Sequence, residues 1–160
     1  MIARKPSPMR RRSGPRLHRR RQAGLSLIEI LVSVVILGIG LLGVAAMQSL
    51  ALRGGQSSLE ASQAVMQTNA IIEAMRANRT NANAYNGALL CAVPSGGTLA
   101  QNDIANWISS LKTSIAGVTT DTTTCGQITG CPANCVITVQ WDDSRAGGEA
   151  DRTFTTRTTI

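Results

Sequence analysis

Glu29 is the only charged residue between Arg21 and Arg53. A carboxylate inside an apolar run of membrane length costs about 2.5 to 3.5 kcal/mol to insert, so it is normally kept for a functional reason and has a partner. The other groups able to do chemistry lie in the C-terminal half. Cys91, Cys125, Cys131 and Cys135 are even in number and, in an oxidising compartment, are expected to form two disulfides. They include no C-x-x-C pair and the lone histidine, His18, lies in the N-terminal arm, which disfavours a zinc site and thioredoxin-like redox chemistry. Without histidine beyond the arm, a Ser-His-Asp arrangement is excluded there. Asp142, Asp143, Glu149 and Asp151 are clustered oxygen ligands of the type calcium takes, but they lack the EF-hand pattern. Asp142-Asp143 in a Gly-rich turn reads as solvated rather than catalytic. No enzymatic activity, cofactor or resident metal is expected.

The formal charge of +7 suggests a nucleic-acid binder, but its distribution argues otherwise. Arg4, Lys5, Arg10, Arg11, Arg12, Arg16, Arg19, Arg20 and Arg21 all precede Leu25 and no acid accompanies them. The remaining seven cations face all nine acids, so residues 25–160 carry a formal −2. Without the arm no basic footprint for a polyanion remains, and aromatic side chains for base stacking are few. The arm reads instead as a positive-inside topology signal.

The elements that must position Glu29 and the cysteines follow from hydropathy patterning. From Leu25 to Leu52 the chain is nearly all Leu, Ile, Val, Ala and Gly, long enough as a helix to exceed a hydrocarbon core of about 30 Å. A cleaved secretory signal is the competing reading, with Val44-Ala45-Ala46 as a small-residue site, but its apolar region runs only about 7 to 15 residues. Past Arg53, Leu59, Ala64, Val65, Thr68, Ile71, Ile72 and Met75 recur at helical spacing, which predicts an amphipathic continuation to about Ala77, with Gly54-Gly55 as a candidate bend and the Asn-rich stretch as its end. Asp103 to Lys112 reads as a short capped helix with Ile104, Trp107, Ile108, Leu111 and Ile115 on one stripe. Cys135 to Trp141 alternates as a strand, Arg152 to Ile160 reads as a Thr-rich second strand, and Asp142 to Gly148 supplies the turn. The expected fold class is α+β: a long N-terminal helix packed on a small antiparallel sheet, with Trp107 and Trp141 as core residues. A domain of about 80 residues (79–160) buries little core alone and needs staples. Three cysteine pairings are open; a short Gly-containing loop favours Cys125 with Cys131, and tying the Asn-rich region to a strand favours Cys91 with Cys135.

Gly24 followed by Leu25-Ser26-Leu27-Ile28-Glu29-Ile30-Leu31-Val32 resembles the type IV prepilin signature. The resemblance implies that a prepilin peptidase cuts after Gly24 on the cytoplasmic side and methylates the new N-terminus at Leu25, where the family usually has Phe. The implied organisation is a cleaved basic leader (1–24), a membrane or filament-core helix (25–52), its amphipathic continuation (53–78) and a small external domain (79–160). The arm is long for such a leader, and Met9 offers an alternative initiator. The cut creates an α-amine at the mouth of an apolar helix, one turn from Glu29. That acid can serve its own chain or, when helices pack side by side, neutralise a neighbour's amine, where low dielectric strengthens the attraction. Glu29 is thus the expected subunit-docking residue. Gly38, Gly40 and Gly43 have two competing readings: a small-residue face for close helix contact, or a segment that loosens when the subunit leaves the bilayer.

Ile71-Ile72-Glu73-Ala74-Met75-Arg76-Ala77-Asn78, followed by Tyr85, also resembles the PilV family of type IV pilus modification proteins, which are minor pilins. That resemblance implies partners among other minor pilins, the major pilin, the inner-membrane assembly platform and a tip adhesin, and a role in priming pilus assembly, adhesion and twitching motility. It places the chain in the bacterial inner membrane, N-terminus inside and C-terminal domain periplasmic, before it enters the pilus. No nucleic acid is expected as a partner. Two alternatives stand beside it: a minor pseudopilin of type II secretion, and a membrane-anchored ligand- or DNA-binding pilin-like protein.

Overall fold

A computed structural model describes residues 24–160; the basic arm, with His18 and Met9, lies outside the described residues. Two compact units divide the chain at Leu41 and Leu42. Helix α1 runs from Leu27 to Ala77. Its sequence is rich in Leu, Ala, Met and Gln, residues with high helix propensity. Glu29 in the first turn and Arg76 in the last complement the helix dipole. The helix is continuous across Gly54-Gly55, so the anticipated bend does not interrupt its hydrogen bonding. At its end Asn78 donates from its backbone N–H to Ala74 O at 3.1 Å, and a 3-10 turn, Arg79–Tyr85, takes the chain away.

The C-terminal part of α1 buries Glu60, Ala64, Thr68, Ile71, Ile72 and Met75. Two members of the expected stripe, Leu59 and Val65, are exposed instead. They lie one position to either side of the buried row that starts at Glu60 and continues through Ala64, and so fall off its face. A charged residue therefore occupies a position that periodicity alone would assign to an apolar one.

Helix α2, Leu99–Leu111, begins four residues before the predicted start. Thr98 and Gln101 form a capping box: Gln101 N–H donates to Thr98 Oγ1 at 3.4 Å, and Thr98 N–H donates to Gln101 Oε1 at 3.0 Å. This reciprocal satisfaction of free amides fixes the true N-terminus. A single π-helical turn, Lys112–Ala116, follows and buries Ile115. Trp107, Ile108 and Leu111 are buried as the helical spacing predicts, with Ile104 packed at the core's margin.

Three antiparallel strands form one sheet in the order β1 (Cys125–Thr129), β2 (Cys135–Trp141), β3 (Arg152–Thr158). The register pairs Ile128 with Ile137, and Val139 with Phe154. Strand β2 alternates strictly, burying Cys135, Ile137, Val139 and Trp141, and these meet Ile71, Ile72, Met75, Ile108 and Leu111 in one core. Strand β1 was not anticipated: five residues containing a glycine give little pattern. That glycine is required by packing, since a Cβ on Gly126 would come within 2.6 Å of the Trp107 ring and 2.7 Å of Ile108 Cδ1.

The disulfides are Cys91–Cys125 and Cys131–Cys135, which corrects the favoured pairing. An isolated antiparallel bridge between Leu90 and Gly126 sets Cys91 beside Cys125. Gly130, at φ 73°, opens a tight turn closed by Asn134 N–H donating to Gly130 O at 2.9 Å, and this turn returns Cys135 to Cys131. Buried Lys112 reinforces the first bridge by donating from Nζ to Cys91 O at 2.7 Å and to Asp121 O. The observed architecture is the expected α+β class: a long apolar N-terminal helix, a small three-stranded antiparallel sheet, an extra helix and two disulfides.

Candidate functional site

The described residues of the N-terminal segment, 24–41, are all exposed. Gly24, Leu25 and Ser26 precede α1, and Ser26 O accepts from the backbone N–H of Glu29 at 3.0 Å and of Ile30 at 3.2 Å, closing the first turn. Glu29 therefore stands in the first turn of α1, four residues after Leu25 in sequence. Its side chain is exposed and makes no ion pair among the described residues. Ser33 Oγ donates to Glu29 O at 2.8 Å and to Ile30 O at 2.9 Å, so this hydroxyl is satisfied within the helix. Glu29 is left as the one charged side chain of the segment, without an ion-pair partner among the described residues.

Around it, no residue from Leu25 to Leu59 is buried. Leu27, Ile30, Leu31, Val34 and Val35 line a continuous apolar surface, and Leu42 is 73 % exposed. The helix is long and apolar enough to cross a membrane, and none of its most apolar window is buried. Exposed apolar surface of this extent is unfavourable in water and marks lipid or protein contact. Gly38, Gly40 and Gly43 have open space where a Cβ would stand, which suits either reading of these glycines.

The other sequence-predicted residues fall elsewhere. The four cysteines are paired within the C-terminal domain, and Trp107 and Trp141 are core residues, 4 % and 1 % exposed. Among the described residues no group of three or more His, Cys, Asp or Glu side chains converges as a metal site. Asp142 Oδ1 accepts from Ser144 N–H at 2.9 Å. Asp143, expected to be solvated, is fully buried, because Arg152 Nη1 at 2.5 Å and Ser57 Oγ at 2.8 Å replace the water it gives up. This polar cluster, which also contains Glu60, was missed: an acid in an amphipathic helix reads as solvent-facing, and only the remote arginine of β3 reveals otherwise.

Tyr85 ties three elements together. Its hydroxyl donates to Asp103 Oδ2 at 2.5 Å and accepts from Asn78 Nδ2 at 3.2 Å. Burial first, then the bond to Asp103, raises its pKa above the usual tyrosine value.

Comparison with known proteins adds one finding. The family model described as the prokaryotic N-terminal methylation motif matches residues 19–45. No curated protein and no solved structure gives a significant match. The motif implies processing by a prepilin peptidase and assembly with pilus components in general, and with the apolar helix it fits a membrane-anchored pilin. Prepilin-type motif, exposed apolar helix and α+β domain together support a type IV pilin-like protein.

Proposed function

We propose that the chain is a minor type IV pilin of the PilV kind, an assembly subunit and not an enzyme, that primes or modulates pilus assembly and through it supports adhesion and twitching motility. The observation that carries the reading is the juxtaposition of the methylation motif with an apolar helix that its own fold leaves uncovered. Processing after Gly24 removes the basic arm and creates an α-amine at Leu25. In the membrane the apolar face is covered by lipid; in a filament it is covered by neighbouring helices, and Glu29 neutralises an amine there and sets axial register. Cleavage does not use Glu29, so processing and docking are separable.

The role is tested in the parent organism by deletion of the gene and complementation with Glu29→Ala. Deletion is expected to abolish piliation and twitching while leaving protein secretion intact. The Glu29→Ala protein is expected to be cut normally yet absent from sheared filaments. Lost secretion with normal pili would assign the chain to a type II secretion system as a pseudopilin, and normal incorporation of Glu29→Ala would remove the docking role.

A further inference from the structure

Glu60 and Asp143 are both buried, at 4 % and 0 % exposure, and each keeps one oxygen without a partner: Glu60 Oε2 and Asp143 Oδ1. Two buried carboxylates side by side are costly unless cations or protons neutralise them. Asp143 is well served, since Arg152 Nη1 lies 2.5 Å from Oδ2, Ser57 Oγ donates to the same oxygen, and the Arg152 guanidinium is braced over the Trp141 ring at 5.6 Å from its centroid. Glu60 is not. Arg145 Nη2 stands 3.8 Å from Oε1 on a side chain 57 % exposed, a geometry that contributes little. Gln56 Nε2, at 3.3 Å from Oε1, brings no charge. Ser57, which bonds Asp143, and Glu60, which faces Arg145, are three residues apart on α1 and share one face of it, so the Glu60 carboxyl belongs to the Asp143 cluster, and Trp141 Nε1 is a third buried atom without a partner.

We propose that one proton held between Glu60 Oε2 and Asp143 Oδ1 clasps α1 to the β2–β3 connection, and that its release to water turns Glu60 Oε2 to the Trp141 Nε1–H instead. Protonated Glu60 donates to Asp143 and satisfies both orphan oxygens at once. Ionised Glu60 accepts from the indole but leaves two adjacent carboxylates against one close cation. The clasp joins Gln56, Ser57 and Glu60 of α1 to Asp143 and Arg145 in the connection and Arg152 in β3, so its strength bears on how firmly the sheet holds the helix. The charged groups facing the pair are Arg145 and Arg152. The proton belongs on Glu60: burial raises its carboxyl above the ordinary value of 4.5, with Asp143 adding to the effect. Burial also pushes Asp143 upward, but bonds from Arg152 and Ser57 outweigh it and leave that carboxyl lowered.

A raised folded-state pKa means that the stabilisation is complete below 4.5 and is lost as pH rises through the higher folded value. The full-length chain in detergent, carrying Trp107→Phe so that Trp141 alone reports, is titrated by fluorescence between about pH 3 and pH 9. One step with its midpoint above 4.5, abolished by Glu60→Gln, is expected. A step that survives Glu60→Gln, or no step in folded protein, overturns the proposal. Thermal unfolding of the unmodified chain gives a second readout that needs no variant: Tm is expected to fall as pH rises through the same window, and a flat or rising profile overturns the clasp.

Discussion

One helix passes through two regimes. From Leu27 to Leu52 α1 buries nothing, whereas from Glu60 to Met75 it has six buried residues, of which Ala64, Ile71, Ile72 and Met75 join a core shared with α2 and the sheet. The residue types differ accordingly. The first stretch is apolar all round, so any face serves and lipid or neighbouring helices must cover it. The second is apolar on one face only, which commits it to a single arrangement. Its fold is specified by the chain itself; the first stretch is specified by what surrounds it. The same contrast appears in the acids: Glu29 is exposed with no ion pair among the described residues, while Glu60 is buried and faces Arg145.

Breaking the Cys91–Cys125 bridge should have the largest effect on the C-terminal domain. With a sequence separation of 34, the chain-entropy cost of Cys91→Ser with Cys125→Ser is about 4 kcal/mol, against about 2 kcal/mol for the short Cys131–Cys135 loop. Denaturant unfolding of the full-length chain in detergent, followed by near-ultraviolet circular dichroism, checks the order of the two. Next comes a matched pair within the two regimes. Ile137→Ala, at a fully buried site, should cost about 3 kcal/mol, whereas Leu37→Ala, at a site 61 % exposed, should change domain unfolding by less than about 0.5 kcal/mol. Equal losses would mean that the apolar stretch is part of the domain's own core after all.

The smallest expected effect is acid sensitivity. Burial alone would raise the Asp121 pKa, but bonds donated by Thr124 and Thr123 outweigh it and hold the carboxyl at about 2. A lowered folded value means that this stabilisation is present above 3.8 and fades as pH falls toward 2. Asp121→Asn should therefore lower Tm in the neutral region, where the ionised carboxyl stabilises the fold, and flatten the acid limb of a Tm-against-pH profile, the two profiles converging as pH falls toward 2.

What was legible in the sequence divides along the same line. The apolar run, the acid at its mouth and strand β2 announce themselves because each is a local pattern: an unbroken run, a single charge, a strict alternation. The amphipathic half of α1 was read correctly as an element but its buried face was placed a residue off at Leu59 and Val65, because a buried glutamate interrupts the apolar count. The start of α2 was misplaced at Asp103 because its cap depends on Thr98 and Gln101 rather than on the first acid. Cysteine pairing, β1 and the Glu60–Asp143 cluster depend on contacts between distant residues, such as the Leu90–Gly126 bridge and Ser57 with Arg152, and no periodicity encodes those.

The division between a covered domain and an uncovered, processed helix is tested most directly at the N-terminus of the mature protein. Intact-mass analysis and N-terminal sequencing of the chain purified from membranes of the parent organism should find a start at Leu25, carrying a methyl group, with the whole apolar helix retained. A start at Met47 would contradict this, because the uncovered helix would then be a discarded secretory signal and not the surface through which the subunit assembles.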